Sequence, residues 1–137
     1  MGSIAKLKLL LDTHIWIWSL FAPDKLTGTV AGHLESPDNE LWLSPISIWE
    51  TLLLVERGRL KVRGQPASVV NDMLKTGPFR EAPVTHAVAM HGRRVQLPHD
   101  DPADRFLAAT AVVYELTLVT ADDRMLNSSG WSVLPNR

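Results

Sequence analysis

The sequence contains no cysteine. A disulfide framework, a thiol nucleophile and a cysteine zinc site are therefore excluded, and the composition fits a reducing compartment such as the cytoplasm. The sequence also lacks the excess of positive charge that is typical of many nucleic-acid-binding proteins, because 14 Lys and Arg residues stand against 15 Asp and Glu residues. Any bound RNA must therefore be held by local basic patches.

Long apolar runs are missing as well. The apolar stretch that precedes Asp12 is too short for a membrane span, and it is too short and too early interrupted for a secretory signal. We therefore expect a soluble cytoplasmic protein that does not enter a membrane.

The apolar segments that are present recur along the whole chain, and the breaks between them are short and contain Pro or Gly. This distribution predicts one domain over residues 1–137. Segments typical of strands alternate with segments typical of helices, an order that predicts an α/β fold, namely a three-layer α/β/α sandwich with a central parallel sheet. Strands are predicted at 7–11, 41–43, 79–84, 116–120 and 131–134, and helices at 16–20, 26–34, 45–57, 67–75, 85–92, 101–114 and 122–126.

Two of the predicted strands end near an aspartate, Asp12 after residues 9–11 and Asp122 after residues 118–120. Ligands of open parallel sheets bind beyond the carboxyl ends of the strands, so both acids are candidates for one site. Each Asp taken alone is equally explained as a cap of the following helix. Their presence at one edge of the same sheet favours a site, where the hydroxyls of Thr13 and Thr120 could orient carboxylates or bound water.

Glu50 lies well inside the helix that follows Pro45, too far from its start to take part in a capping box. At helical spacing it shares a face with the apolar residues Ile46, Leu53 and Leu54. A carboxylate in an apolar stripe costs several kcal/mol, on the order of the penalty for a buried ion, if it has no partner. The partner is either a buried Arg or Lys, or a metal cation shared with other carboxylates.

Asp104 sits at the third position of a helix that Asp101 and Pro102 begin. An acid there is favourable to the helix dipole without any function, but a helix that starts at the sheet edge would also place Asp104 in the same cleft. Ser47, one turn before Glu50, is a further candidate neighbour of the site. Carboxylate oxygens select hard cations such as Mg²⁺ or Mn²⁺, and such ions activate water for phosphodiester hydrolysis without a protein nucleophile.

Four sequence segments carry a resemblance to a known family: LLDTH at 10–14, SPISIWE at 44–50, DPADRFLAATA at 101–111 and LVTAD at 118–122. In order and spacing they resemble the PIN-domain family and, more closely, the VapC-type toxins of bacterial toxin–antitoxin pairs. Each motif is weak alone, whereas four in this order over nearly the whole chain are specific.

The resemblance implies a compact α/β/α sandwich and an endoribonuclease that depends on Mg²⁺ or Mn²⁺ and cleaves RNA. It also implies a homodimer, and inhibition by a VapB-like antitoxin that inserts a segment into the acidic groove. Carried over by position, the catalytic and metal-binding acids are Asp12, Glu50, Asp104 and Asp122. Asp123 remains open as the fourth acid in place of Asp122, which is preferred because it directly follows the strand end. Family members often carry a basic residue before the third motif, where this chain has His99 and Asp100.

Several further residues have both a structural and a functional interpretation. The basic run at 57–63 is typical of a solvated helix end, or it contacts RNA phosphates. Arg105 either pairs with a carboxylate or holds substrate phosphate, and His14 either assists proton transfer or supports the site indirectly. Among the five tryptophans, Trp42, Trp49 and Trp131 are predicted in the core, and Trp16 and Trp18 could line the groove or a protein interface.

Other function classes compete with a nuclease. A phosphoacceptor domain also carries Asp at strand ends, but it normally needs a lysine late in the chain, and none follows Lys75. A zinc hydrolase is disfavoured because His86 and His91 are five residues apart, a poor spacing for two ligands on one helical face. The remaining alternative is a catalytically inactive PIN-like binding module, against which the presence of all four acids argues.

Overall fold

A computed structural model describes residues 6–126 and 130–137. The described residues form five strands and seven α-helices, and a 3₁₀ turn at Pro23–Lys25 lies between the first and second α-helices. The strands are β1 (Lys8–Leu11), β2 (Glu40–Leu43), β3 (Phe79–Glu81), β4 (Thr117–Thr120) and β5 (Ser132–Pro135). The helices are α1 (Thr13–Phe21), α2 (Gly28–Glu35), α3 (Pro45–Glu56), α4 (Pro66–Leu74), α5 (His86–Gly92), α6 (Pro102–Val113) and α7 (Asp123–Leu126).

All strand pairs of the sheet are parallel, and their order is β3-β2-β1-β4-β5. The central strand β1 is flanked by β2 and β4, and Leu11 pairs with Val119 near the carboxyl ends. Because every strand runs in the same direction, all carboxyl ends meet at one edge. The predicted α/β class with a parallel sheet is confirmed.

The two faces of the sheet bury separate apolar clusters. Leu10 and Leu118 point into a core that includes Leu107 and Ala108 of α6. Leu9 and Leu11 point to the opposite face, where Ile15 and other residues of α1 to α4 cover the sheet. Because both faces are covered by helices, the predicted three-layer α/β/α sandwich is confirmed.

Two helices begin where a capping residue and a proline predicted them. The Ser44 hydroxyl accepts a hydrogen bond from the backbone N–H of Ile46 (3.0 Å) at the start of α3. The Asp101 carboxylate accepts from the N–H groups of Ala103 (2.9 Å) and Asp104 (3.3 Å) at the start of α6. In each case the side chain satisfies helix donors that have no partner within the helix.

Element boundaries differ from the prediction in ways that have local causes. Helix α1 begins at Thr13 rather than at residue 16, because Asp12 caps it. Helix α2 begins at Gly28, where the Thr27 hydroxyl accepts from the N–H of Val30. Strand β3 ends at Glu81 rather than at residue 84, since Pro83 has no N–H to extend the ladder.

The tryptophan predictions were correct in part. Trp42 and Trp131 are half-buried and pack against the core of α5 and α6. The prediction of a core position was wrong for Trp49, whose side chain is 59% exposed on α3. Trp16, predicted near the groove or an interface, is instead fully buried.

Within the described part of the chain, no helix is long and apolar enough to cross a membrane.

Candidate active site

The four predicted acids come together at the carboxyl edge of the sheet. Asp12 follows β1, Asp122 follows β4, Glu50 lies on α3 and Asp104 lies in the first turn of α6. All four line one open cleft of about 350 Å³, together with His14, Trp18, Ala121 and Arg124. Residues up to 110 positions apart in the sequence thus share a single cavity, because the parallel sheet delivers them to the same edge.

Asp12 is held by two hydrogen bonds at the end of the central strand. One carboxylate oxygen accepts from the backbone N–H of Thr13 (2.7 Å), and the other accepts from the Thr120 hydroxyl (2.6 Å). Burial raises the pKa of Asp12, although both hydrogen bonds act in the opposite direction. Asp12 therefore caps α1 and lines the cleft at once, so the two interpretations of the sequence are compatible.

Glu50 is tied to the same region by Thr13. The Thr13 hydroxyl donates to Glu50 Oε1 (2.6 Å) and is also hydrogen-bonded to the hydroxyl of the buried Ser47 (3.0 Å). Among the described residues, no Lys or Arg lies within ion-pair distance of Glu50, so the basic partner that the sequence left open is not found there. Burial raises the pKa of Glu50, and the charges of Asp12 and Asp104 raise it further.

Asp104 is buried at the start of α6 and contacts two basic side chains. Its Oδ2 accepts from Nε2 of His99 (2.7 Å), and Nη2 of Arg124 lies 3.7 Å from the same oxygen. Burial raises the pKa of Asp104 against the hydrogen bond from His99, and the charges of Asp12 and Asp122 add to the rise.

Asp122 differs from the other acids because an arginine neutralises it. Arg124 donates to both carboxylate oxygens, from Nε to Oδ1 (3.2 Å) and from Nη2 to Oδ2 (2.9 Å). These contacts are the main reason why the pKa of Asp122 lies below its ordinary value. The neighbouring Asp123 is exposed and pairs with Arg137 outside the cleft. Of the two adjacent acids, the one that lines the cleft is Asp122.

The remaining predicted site residues separate into two groups. Thr13, Ser47 and Thr120 contact the acids as described, and His14 lines the cleft. Arg105 does not reach it: its guanidinium pairs with Asp100 (2.9 Å) and donates to two backbone carbonyls before α6. Of the two interpretations that the sequence left open for Arg105, the observed contact with Asp100 corresponds to pairing with a carboxylate.

Two functional neighbours of the acids were not recognised in the sequence as contacts of the site. His99 stands just before the third motif, where family members often carry a basic residue, and its ring is hydrogen-bonded to Asp104. Arg124 follows Asp122 by two residues at the start of α7, a spacing that lets a helix-capping acid and an arginine meet. No motif pointed to Arg124.

The donor set fits a hard divalent cation in its chemistry. Three carboxylates with raised pKa values share one cleft, which leaves an excess of negative charge that a cation would relieve. Among the described residues, however, no group of three or more His, Asp or Glu side chains is already arranged to hold a metal ion. At Asp122 a cation would compete with Arg124, which contacts both carboxylate oxygens.

Comparison with known proteins identifies the family. The family model of the PIN domain matches residues 9–129. The chain belongs to the PIN-domain family. This PIN domain is 32% identical over 120 residues to Ribonuclease VapC22 of Mycobacterium tuberculosis (strain ATCC 25618 / H37Rv), an alignment that covers 85% of this chain and 88% of that protein.

Solved structures share the fold of this PIN domain at lower identity. VapBC2 from Rickettsia felis, bound to a DNA fragment from its promoter, matches with a TM-score of 0.74 at 16% identity and covers 94% of this chain and 98% of that chain. FitAcB from Neisseria gonorrhoeae matches with a TM-score of 0.67 at 23% identity, over 93% and 97% of the two chains. These matches show that the order of strands and helices around the acidic cleft is a shared architecture.

Proposed function

We propose that this PIN domain, taken as residues 1–137, is a VapC-type endoribonuclease that depends on Mg²⁺ or Mn²⁺. The observation that carries the proposal is the convergence of Asp12, Glu50, Asp104 and Asp122 in one cleft, three of them with a raised pKa. Uncompensated carboxylates at the carboxyl edge of a parallel sheet are suited to bind a divalent cation and, through it, a phosphodiester.

The residues of the chain have distinct tasks in this proposal. Asp12, Glu50, Asp104 and Asp122 would hold the ion, which supplies an activated water and neutralises charge on the phosphate when bound. Thr120 and the backbone of Thr13 fix the orientation of Asp12, and the Thr13 side chain fixes Glu50. His14 is exposed on the rim of the cleft, and the proposal assigns it the transfer of a proton to or from the substrate.

The proposal includes partners and a location. The matched structures from Rickettsia felis and Salmonella typhimurium are VapBC complexes bound to DNA, which supports a VapB-like antitoxin as the partner of this chain. We extend the proposal to a homodimer that acts on RNA in the cytoplasm. Inhibition by an antitoxin is consistent with an acidic cleft that accepts a guanidinium, as the contact between Arg124 and Asp122 illustrates.

Cleavage of structured RNAs with Mg²⁺ or Mn²⁺, and then with a chelator, tests the enzyme. We expect cleavage that the chelator abolishes, and we expect Asp12→Asn and Asp104→Asn to abolish cleavage while the protein stays folded. Asp123→Asn is the matched control, because Asp123 is exposed and lies outside the cleft; this variant keeps full activity. Cleavage that resists the chelator, or full activity of either cleft variant, would contradict the proposal.

One observation favours a second candidate, a PIN-like module that binds without cleaving. Arg124 neutralises Asp122 and approaches Asp104, and no metal-holding group is preassembled among the described residues. If this candidate is correct, no RNA is cleaved with either metal, and Arg124→Ala restores no activity.

A further inference from the structure

The position of Trp49 on α3 is unusual for a large aromatic side chain. Its side chain is 59% exposed, whereas the fully buried positions of the same helix are occupied by the small hydroxyl residues Ser47 and Thr51. Exposure of so much aromatic surface is unfavourable in water and is typical of a binding site. Trp49 directly precedes Glu50 in the sequence, and both side chains line a second cleft.

A second, smaller cleft joins Trp49 to the acidic cleft. It has a volume of about 200 Å³ and shares His14 and Glu50 with the acidic cleft. The remaining lining residues are Thr13, Trp49, Leu53, Leu54, Arg57 and Arg59. Trp49 and Leu53 are four residues apart along α3 and therefore share one face, and Arg57 follows as the residue that caps the helix end.

The two arginines of the smaller cleft are available for a ligand. Arg57 and Arg59 are exposed, and within the part of the chain that the structure describes neither guanidinium makes an ion pair or a hydrogen bond. Arg80 and Arg105, by contrast, are both paired with carboxylates. The chain as a whole is near neutral, so this is a local positive patch next to a negative cleft.

We propose that Trp49, Arg57 and Arg59 form a binding site for unpaired RNA beside the proposed cleavage site. Trp49 stacks on a base, and the two arginines contact the phosphates that follow the scissile one. Aromatic stacking combined with a basic groove is the usual means of binding single-stranded nucleic acid. An apolar peptide would gain nothing from two unpaired guanidinium groups, which favours RNA over a protein as the occupant. The inference rests on the proposed ribonuclease function.

Binding of a labelled oligouridine, followed by fluorescence anisotropy in the presence of a chelator, tests this site without cleavage. We expect Trp49→Ala to weaken binding about 10-fold, the loss of one stacked base, and Trp49→Phe to retain most of the affinity. The double variant Arg57→Ala/Arg59→Ala weakens binding and lowers the slope of log affinity against log salt by about 1.4, since each lost contact with a single-stranded phosphate contributes about 0.7.

Matched controls are present on α5 and directly after it. Met90 is as exposed as Trp49, and Arg93 and Arg94 are exposed and lie outside both clefts. Met90→Ala and Arg93→Ala/Arg94→Ala should bind the oligouridine as tightly as the unaltered protein. Each variant is also examined by light scattering for its oligomeric state and by circular dichroism for its fold.

Unchanged RNA affinity in Trp49→Ala would overturn the inference, as would a loss of affinity that appears only together with a change of oligomeric state. The second result would assign this face to a contact between copies of the chain. The outcome is independent of the cleavage assay. If RNA binding in the presence of a chelator depends on Trp49 but no RNA is cleaved with metal, the proposed enzyme is refuted and the RNA-binding site is supported. If RNA is cleaved with metal but Trp49→Ala binds RNA as tightly as the unaltered protein, the enzyme is supported and the RNA-binding site is refuted.

Discussion

The two sides of the acidic cleft differ in how their negative charge is balanced. On the side of α3, Asp12 and Glu50 are held by hydroxyl and backbone N–H groups, and burial raises their pKa values. On the side of α7, the guanidinium of Arg124 binds Asp122 and lowers its pKa. The negative charge of the cleft is therefore compensated by an arginine on the α7 side only. A divalent cation held by Asp12 and Glu50 would neutralise the α3 side, and at Asp122 it would compete with Arg124.

The largest expected effect concerns Glu50, which like Asp12 has no Lys or Arg partner among the described residues. Glu50→Gln removes a charge that the proposal assigns to the metal site, so we expect RNA cleavage to fall by about 100-fold or more. Glu56→Gln, at the exposed end of the same helix, is the control and keeps its activity. Equal RNA cleavage by the two variants would show that Glu50 has no part in the proposed metal site.

The next effect concerns the contact between His99 and Asp104. His99→Ala leaves Asp104 without its 2.7 Å hydrogen bond, and loss of such an orienting contact typically lowers metal affinity or activity by about 10- to 100-fold. His99→Gln keeps a donor near the same place and should recover part of the loss. Calorimetric titration with Mn²⁺ measures the metal affinity of each variant, and His86→Ala is the control. An unchanged affinity in His99→Ala would show that the contact between His99 and Asp104 has no effect on metal binding.

A smaller effect of opposite sign is expected for Arg124. Arg124→Gln removes the guanidinium that competes for Asp122, so we expect Mn²⁺ to bind about 10-fold more tightly. Arg137→Gln, which disrupts a pair outside the cleft, should leave the Mn²⁺ affinity unaltered. Weaker binding in Arg124→Gln would mean that Arg124 supports the metal site rather than competing with it.

The smallest effects concern the stability of the metal-free protein in variants of Asp12 and Asp122. The raised pKa values of Asp12, Glu50 and Asp104 mean that the folded state holds protons more tightly than the unfolded state. Their contribution to stability is therefore full at acidic pH and is lost as pH rises through the raised folded values. Asp12→Asn should increase the free energy of unfolding at pH 7 by about 1 kcal/mol.

The effect of Asp122 on stability is expected to have the opposite sign to that of Asp12. Its lowered pKa contributes stability above the ordinary Asp value, and this contribution is lost as pH falls through the lowered folded value. Because solvent reaches both partners of the pair, we expect Asp122→Asn to decrease stability by only about a few tenths of a kcal/mol. Urea unfolding of both variants without metal measures the difference, and a change of the same sign in both would contradict the two-sided view of the cleft.

The sheet and the acids were predictable from the sequence because local patterns determine them. Apolar runs that end in Asp mark strands that are buried on both faces, and caps followed by proline mark the starts of α3 and α6. Glu50 was identified by its cost in an apolar stripe, an argument that requires no knowledge of the fold. The assignment of site residues to metal binding and catalysis stays a prediction.

The contacts of basic residues were not predictable, because they depend on tertiary distances. Arg105 is adjacent to Asp104 in the sequence, yet its side chain turns towards Asp100, while Arg124 reaches Asp104 from another element. The buried position expected for Trp49 was wrong for a related reason. The buried positions of its helix are occupied by the small residues Ser47 and Thr51, and Trp49 lies on the exposed side of the same helix.

Thr13 has a consequence for how the cleft can move. Its backbone N–H binds Asp12 and its hydroxyl binds Glu50, so one residue in the first turn of α1 links the central strand to α3. A displacement of that turn, caused by a ligand on α1 or by a mutation behind it, would change the distance between the carboxylates of Asp12 and Glu50. The spacing of the acids is thereby coupled to a helix that carries none of them.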